Sequence, residues 1–171
     1  MKWAIICGMK LPKELAKENI EAKVLAALER ERFELYSGSK NYVPLLQLNP
    51  ELRKNIFYAK SLGELIIGYD AIELTLAAER KGLQNVDNQS ERISRLLIVT
   101  NDGSARFYRE LSYLQNKQGG RVLVCRLEID SALMADILGL KEKTVKAILV
   151  NRKRSVINVL KAMQVEEVEE V

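Results

Sequence analysis

The 171 residues are 47% apolar and 29% charged, which supplies a packed core and excludes a disordered chain. Histidine is absent, and with it go Ser–His–Asp triads, Cys–His pairs and imidazole-based zinc sites. The two cysteines, Cys7 and Cys125, lie far apart with no CxxC spacing, so neither a disulfide framework nor a thiolate zinc site is expected and a reducing compartment fits.

Along the chain, Lys2–Cys7 reads as a short strand, too brief an apolar run for a signal peptide or a membrane span. Residues 13–35 read as a helix behind Pro12, with Ile20, Val24 and Leu28 on one face. Tyr36–Pro50, with Gly38, Pro44 and Pro50, reads as a loop and domain boundary. A helix over 51–62 stops near Gly63, and Leu65–Ile67 is a short strand turned by Gly68 into a helix over about 69–81. After the polar loop Leu83–Glu91, Leu96–Val99 is an apolar strand without alternation, a pattern that goes with burial on both faces. Asn101–Ser104 turns into a helix carrying Phe107, Leu111 and Leu114, which Gly119–Gly120 breaks. Val122–Cys125 is a strand, 131–138 a short helix, Val145–Val150 a strand and 153–163 a closing helix. Such alternation implies a three-layer α/β/α sandwich on a central mixed sheet, with an N-terminal strand–helix extension. The expected divisions are an extension of unknown role at 1–50, a domain at 51–164 and an acidic tail at 165–171.

The net charge is +4, but from 101 to 161 twelve Lys/Arg stand against six Asp/Glu, an excess masked by Glu166, Glu167, Glu169 and Glu170. A polyanion is a reasonable partner for that half, with a partnerless solvated surface as the alternative.

Four stretches in order carry a likeness. They are Ala59-Lys60-Ser61-Leu62-Gly63-Glu64-Leu65-Ile66-Ile67-Gly68, Leu97 to Ser104, Leu133 to Leu140, and Val145 to Val150 with the helix that follows. Together they resemble the ribosomal L-seven-Ae family of kink-turn RNA binders and related bacterial ribosome-associated proteins, over residues about 52–163, roughly two-thirds of the chain. The resemblance implies non-catalytic binding of structured RNA in the cytoplasm, with the ribosome as one setting, no cofactor and no membrane partner. Where those binders carry Gly–small–Asn–Glu at the RNA-facing turn, this chain has Gly68-Tyr69-Asp70-Ala71. Gly68 matches, Asp70 stands at the amide position, and Ala71 supplies no group to read a base.

Candidate RNA-binding residues are Gly68, Tyr69, Asp70, Arg106, Arg109, Arg126, Arg152, Lys153 and Arg154. Arg106 and Arg109 sit in the first turns of a helix, where cations oppose the dipole, which points to a phosphate contact. Arg126 ends a strand at a loop that reaches toward RNA in the family, although Leu127-Glu128-Ile129-Asp130 departs from its pattern. Arg152-Lys153-Arg154 is the densest basic cluster. Each has a structural alternative: Tyr69 as packing, Asp70 as a complement to the helix N-terminus, the basic cluster as a solvated turn. Asp102 reads first as a cap for the helix that follows it. A PIN-like, metal-dependent nuclease would instead use Asp70, Asp87, Asp102 and Glu110, but the first strand ends in Gly8 where such enzymes carry an acid. A protein-interaction scaffold of the same fold is the remaining alternative.

The Gly68 turn carries an expectation about specificity. A carboxylate only accepts hydrogen bonds at neutral pH, and Ala71 leaves a second guanine unread. Each lost base-edge contact costs ~1–3 kcal/mol, so a consensus kink-turn should bind weaker by roughly two to four decades than a matched family turn would. Calorimetry checks this: tight binding by the native chain refutes it, and the double change Asp70→Asn, Ala71→Glu should raise affinity.

Overall fold

Apolar residues on alternate sides of short strands build one six-stranded mixed sheet in the order β1-β2-β5-β4-β6-β3. The computed structural model describes residues 9–86, 91–141 and 143–164. The strand expected at Lys2–Cys7, the tail at 165–171 and Asp87 lie outside those residues.

The elements in chain order are α1 (Lys13–Lys17), α2 (Glu21–Arg30), β1 (Arg32–Glu34), β2 (Tyr42–Leu46), α3 (Pro50–Ser61), β3 (Leu65–Ile67) and α4 (Tyr69–Leu83). There follow β4 (Arg95–Val99), α5 (Ala105–Gln118), a 3-10 turn at Gly119–Arg121, β5 (Val122–Leu127), α6 (Ser131–Ile137), β6 (Ala147–Val150) and α7 (Lys153–Ala162). The strands read from sequence at 65–67, 96–99, 122–125 and 145–150 are present in this one sheet, within a few residues at their ends.

β4 is parallel to β5, and β5 to β2, while β6 runs antiparallel to both β4 and β3. The strands β2, β3, β4 and β5 therefore share a direction, and the sheet has a carboxyl end and an amino end. Along β4, Leu96 and Ile98 enter one core with α1, α2, α3, α6 and α7. Leu97 and Val99 enter the other with α4 and α5. Both faces are covered, so the architecture is the three-layer sandwich that the non-alternating strands imply.

The N-terminal segment differs from its sequence reading. The single helix expected at 13–35 is two, broken where Asn19 adopts a positive φ of 59°, and its end is the strand β1. The stretch expected as a loop at 36–50 contains β2, which joins the main sheet through Leu45 opposite Arg126 and Leu46 opposite Leu127. Leu11, Leu15, Val24 and Leu28 are fully buried in the core that also holds Leu52, Ile56 and Val156. Residues 9–50 thus share a sheet and a core with the rest instead of forming an appendage.

Helix boundaries follow local chemistry. Asn49 caps α3 by accepting from the Leu52 N–H at 2.7 Å, with Pro50 in the first helical position. Its amide also donates to the Ala162 carbonyl at 3.0 Å, tying α3 to the end of α7. α7 has no side-chain cap of its own. The Glu64 carboxylate, 6% exposed, serves that end instead, accepting from Ser155 Oγ and from Arg154 Nε. Ser155 chiefly, against the effect of burial and with help from Arg154, holds the Glu64 carboxyl below its usual range.

The shared core predicts a single unfolding transition. Truncating fully buried Leu28 to Ala should lower stability by about 2–5 kcal/mol and shift one urea transition as a whole. Two separable transitions would show that residues 9–50 fold apart from the sheet.

Candidate nucleic-acid interface

The residues singled out in the sequence divide between the two ends of the sheet, roughly 16 Å apart along the five residues of β4 at ~3.3 Å per residue. Gly68, Tyr69, Asp70, Arg106, Arg109 and Arg126 fall at or near the carboxyl end, and Arg152, Lys153 and Arg154 at the amino end. They do not form one surface.

At the carboxyl end, Gly68 takes φ 91° and ψ 146°, a region essentially restricted to glycine, and its N–H donates to the Ala147 carbonyl at 3.0 Å. A Cβ there would meet nothing within 4 Å, so the glycine is required by the backbone and not by a close neighbour. Tyr69 packs its ring edge-on against Phe107 at 6.1 Å and donates its hydroxyl to Glu73 at 2.8 Å. Burial first, and then Glu73, push the Tyr69 phenol up. Asp70 is exposed on the first turn of α4, where its charge complements the dipole. Arg106 is exposed beside Asp70 and Tyr69 on an open groove between α4 and α5, and is paired with Glu110 at 3.2 Å. That i,i+4 pair offsets the cost of a cation in the first turn. Arg109 lies over the Tyr36 ring at 5.8 Å.

Arg126 does not project outward. Its guanidinium lies 3.8 Å from the centroid of Phe33 on β1 and 3.7 Å from Glu128, with only 12% of the side chain exposed. The turns after β4 and β5 close the crevice where doubly wound sheets place ligands. Asp102 accepts from Ser131 Oγ at 2.6 Å, from the Ser131 N–H at 3.1 Å and from Thr100 Oγ1 at 2.8 Å. Asn101 donates to Glu128 at 2.8 Å across the same gap. Asp102 therefore braces the start of α6, while the helix after it, α5, is capped by Ser104. Among the described residues no group of three or more Cys, Asp or Glu side chains is placed to hold a metal ion. Cys125 is fully buried, and burial pushes its thiol up, away from thiolate chemistry.

At the amino end the three adjacent basic residues diverge. Arg154 turns to Glu64, Arg152 is exposed at the α7 N-cap, and Lys153 reaches Glu14 at 3.0 Å. Lys153 also lines a cleft of about 730 Å³ together with Lys13, Arg92, Arg95 and Arg121, and Glu79 is the one carboxylate among the described residues that line it. Glu79 accepts from Arg95 Nε at 2.7 and 3.2 Å and from Arg121 at 3.5 Å. Arg95 also donates to the Ser94 carbonyl, and Arg121 to Gln118, both at 2.7 Å. Both guanidiniums are therefore fixed, half-sunk cations.

Sequence reasoning missed Lys13, Arg92, Arg95 and Arg121. The signal was present, since Arg92 and Arg95 immediately precede or begin β4, Arg121 precedes β5, and Arg152-Lys153 follows β6. Only the antiparallel course of β6 brings the last pair to the same end. No helix among the described residues is long and apolar enough to cross a membrane. Compared with protein-family models and with curated proteins, the chain has no match.

The Asp102 brace sets a pH dependence. Burial works to raise its pKa, but Ser131 and Thr100 outweigh it and hold the carboxyl below its ordinary 3.8. A depressed folded pKa contributes stability that is complete above the unfolded value, near pH 4, and is lost as the pH falls through the folded value. Asp102→Asn should cost about 1 kcal/mol near neutral pH, partial solvation keeping the loss small. Urea midpoints measured from pH 7 to pH 2.5 should show the gap between wild type and variant narrowing below about pH 4.

Proposed function

We propose that this protein binds structured RNA without catalysis, gripping phosphates at the amino end of its sheet, and that it lacks standard kink-turn specificity. The observation that carries the reading is the cleft lined by Lys13, Arg95, Arg121 and Lys153, where Glu79 is the one carboxylate among the described lining residues. Fixed cations grouped in one concavity raise the local potential and attract a polyanion more strongly than the same charges scattered over a surface. The likeness to the ribosomal L-seven-Ae family, carried by the Gly68 turn and the strands around it, supports RNA over other polyanions.

The nuclease alternative draws no comparable support. Of its candidate acids, Asp102 is engaged by Ser131 and Thr100, and Glu110 is paired with Arg106. The cytoplasm, where structured RNA is abundant, is the compartment this reading implies.

If about four to six phosphates are neutralised, log K should fall against log salt with a slope of about −3 to −5. Charge reversal distinguishes the two ends of the sheet. Lys13→Glu with Lys153→Glu should weaken RNA binding at least about tenfold, the scale of one lost charge-assisted contact. Arg106→Glu with Arg109→Glu should leave it nearly unchanged. Anisotropy titrations with ribosomal and transfer RNA decide the matter. Absence of affinity at low salt sinks the reading, and the opposite ranking of the two variants moves the interface to the carboxyl end.

A further inference from the structure

Charge is sorted along the exposed faces of α4 and α5. Both helices follow strands of one direction, so they run side by side from the carboxyl end of the sheet to the amino end. An open groove of about 980 Å³ lies between them. Its carboxyl half is lined by Asp70, Glu73 and Glu110, with Arg106 as the one cation among the described residues there. Its amino half is lined by Arg80, Lys81 and Lys117, with no acid among the described residues. Between the halves, neither 74–78 nor 111–116 contains a charged residue. Complementing the helix dipole accounts for Asp70, Arg80 and Lys81 in the terminal turns of α4. It does not account for the neutral middle or for what that middle exposes. Leu74 and Tyr113, at 73% and 60%, are the most exposed large apolar side chains among the described residues.

The charges are antisymmetric about that middle. Glu73 and Lys81 each lie four residues from Ala77, about 6 Å at ~1.5 Å per residue. Glu110 and Lys117 lie three and four residues from Tyr113. Turned end over end, the face meets a copy of itself with the signs reversed. A charged group on a two-fold axis would face its own image, and the residues at that level, Ala77 and Tyr113, are neutral. The same rotation sets the helices of the two copies antiparallel, which pairs their dipoles favourably. Glu73, Arg80, Lys81 and Lys117 make no ion pair among the described residues, so a second copy displaces none at those positions.

We propose that this face is the interface of a two-fold homodimer. Glu73 stands opposite Lys81 of the second copy and Glu110 opposite its Lys117, with the Leu74 and Tyr113 side chains of both copies packed around the axis. Aromatic side chains at the centre and charges at the rim are the ordinary anatomy of such an interface. The inference goes beyond the RNA reading and does not rest on it.

The test is sedimentation equilibrium of the full chain, without nucleic acid, from micromolar to millimolar protein. A reversible dimer is expected, and it should weaken as salt screens the pairs. Glu73→Lys and Lys81→Glu lie at exposed positions, and each acts twice in a two-fold interface. Either change alone should therefore weaken the dimer at least about tenfold. Mixed in equal amounts, the two variants again place opposite charges across the axis and should form a heterodimer. A monomer at every concentration overturns the proposal. So does a dimer that the single changes leave intact, or one that mixing the two variants fails to restore.

Discussion

The antiparallel pairing of β4 with β6 decides where the charges of this molecule meet. β4 has both neighbours and both faces occupied, with Leu96, Leu97, Ile98 and Val99 all fully buried. Its parallel partner β5 carries Arg121 to the end where β4 begins. Had β6 also been parallel, Arg152 and Lys153 would emerge at the opposite end, beside Asp102 and Glu128. Because β6 runs the other way, Val150 lies opposite Leu96, and Lys153 arrives beside Lys13, Arg95 and Arg121. Like charges so grouped repel, and Glu79 at 2.7 Å from Arg95 offsets the repulsion from inside the cluster.

The two ends of the sheet consequently differ in kind. At the carboxyl end the side chains of the turns after β4 and β5 are engaged with one another, while Arg126 Nε is buried with no hydrogen-bond partner among the described residues. Asp102 bridges the turns after β4 and β5, Asn101 reaches Glu128, and the Tyr108 hydroxyl donates to the Thr100 carbonyl at 2.6 Å. A ligand there would have to replace hydrogen bonds already made, at a cost of about 1–3 kcal/mol for each buried group left unpaired. At the amino end the cations outnumber the acids among the described residues that line the cleft. On the proposed reading, a phosphate arriving there would add hydrogen bonds and neutralise charge instead of replacing bonds already made.

How legible these features were in the sequence follows from which forces act locally. Strands such as 96–99 and 122–125 announce themselves because burial on both faces demands unbroken apolar runs. β2 was hidden by Pro44, which has no N–H to give a ladder. It is tolerated because Pro44 pairs only with Arg32 on β1, and contact with β5 begins at Leu45. The break at Asn19 was masked because Ile20, Val24 and Leu28 keep helical spacing on either side of it. The sequence makes Asp102 a cap for the helix that follows, but Ser104 takes that place, and Asp102 accepts instead from Ser131, 29 residues on, at the start of α6. Arg126 looked exposed because nothing local says that Phe33, on a strand taken for a helix, would lie beneath it. The cationic cleft was illegible for the same reason: its members become neighbours only once strand direction is known.

The resemblance and the cleft then point to opposite ends of one helix. α4 begins at the Gly68 turn, one of the places that carry the resemblance, and reaches Glu79 about 15 Å and Leu83 about 21 Å away at ~1.5 Å per residue. The backbone of that turn is explained without any ligand: Gly68 adopts φ 91° so that its N–H can meet Ala147 while α4 swings onto the Leu97 face. The turn thus needs no base-reading role to exist, and Asp70-Ala71 stands where the binders it resembles carry Asn–Glu. On the proposed reading, binding energy would then come from elsewhere on the surface. The amino end has fixed guanidiniums in a concavity, which is where the proposed reading puts that energy, and on that reading the scaffold and the grip would be separable.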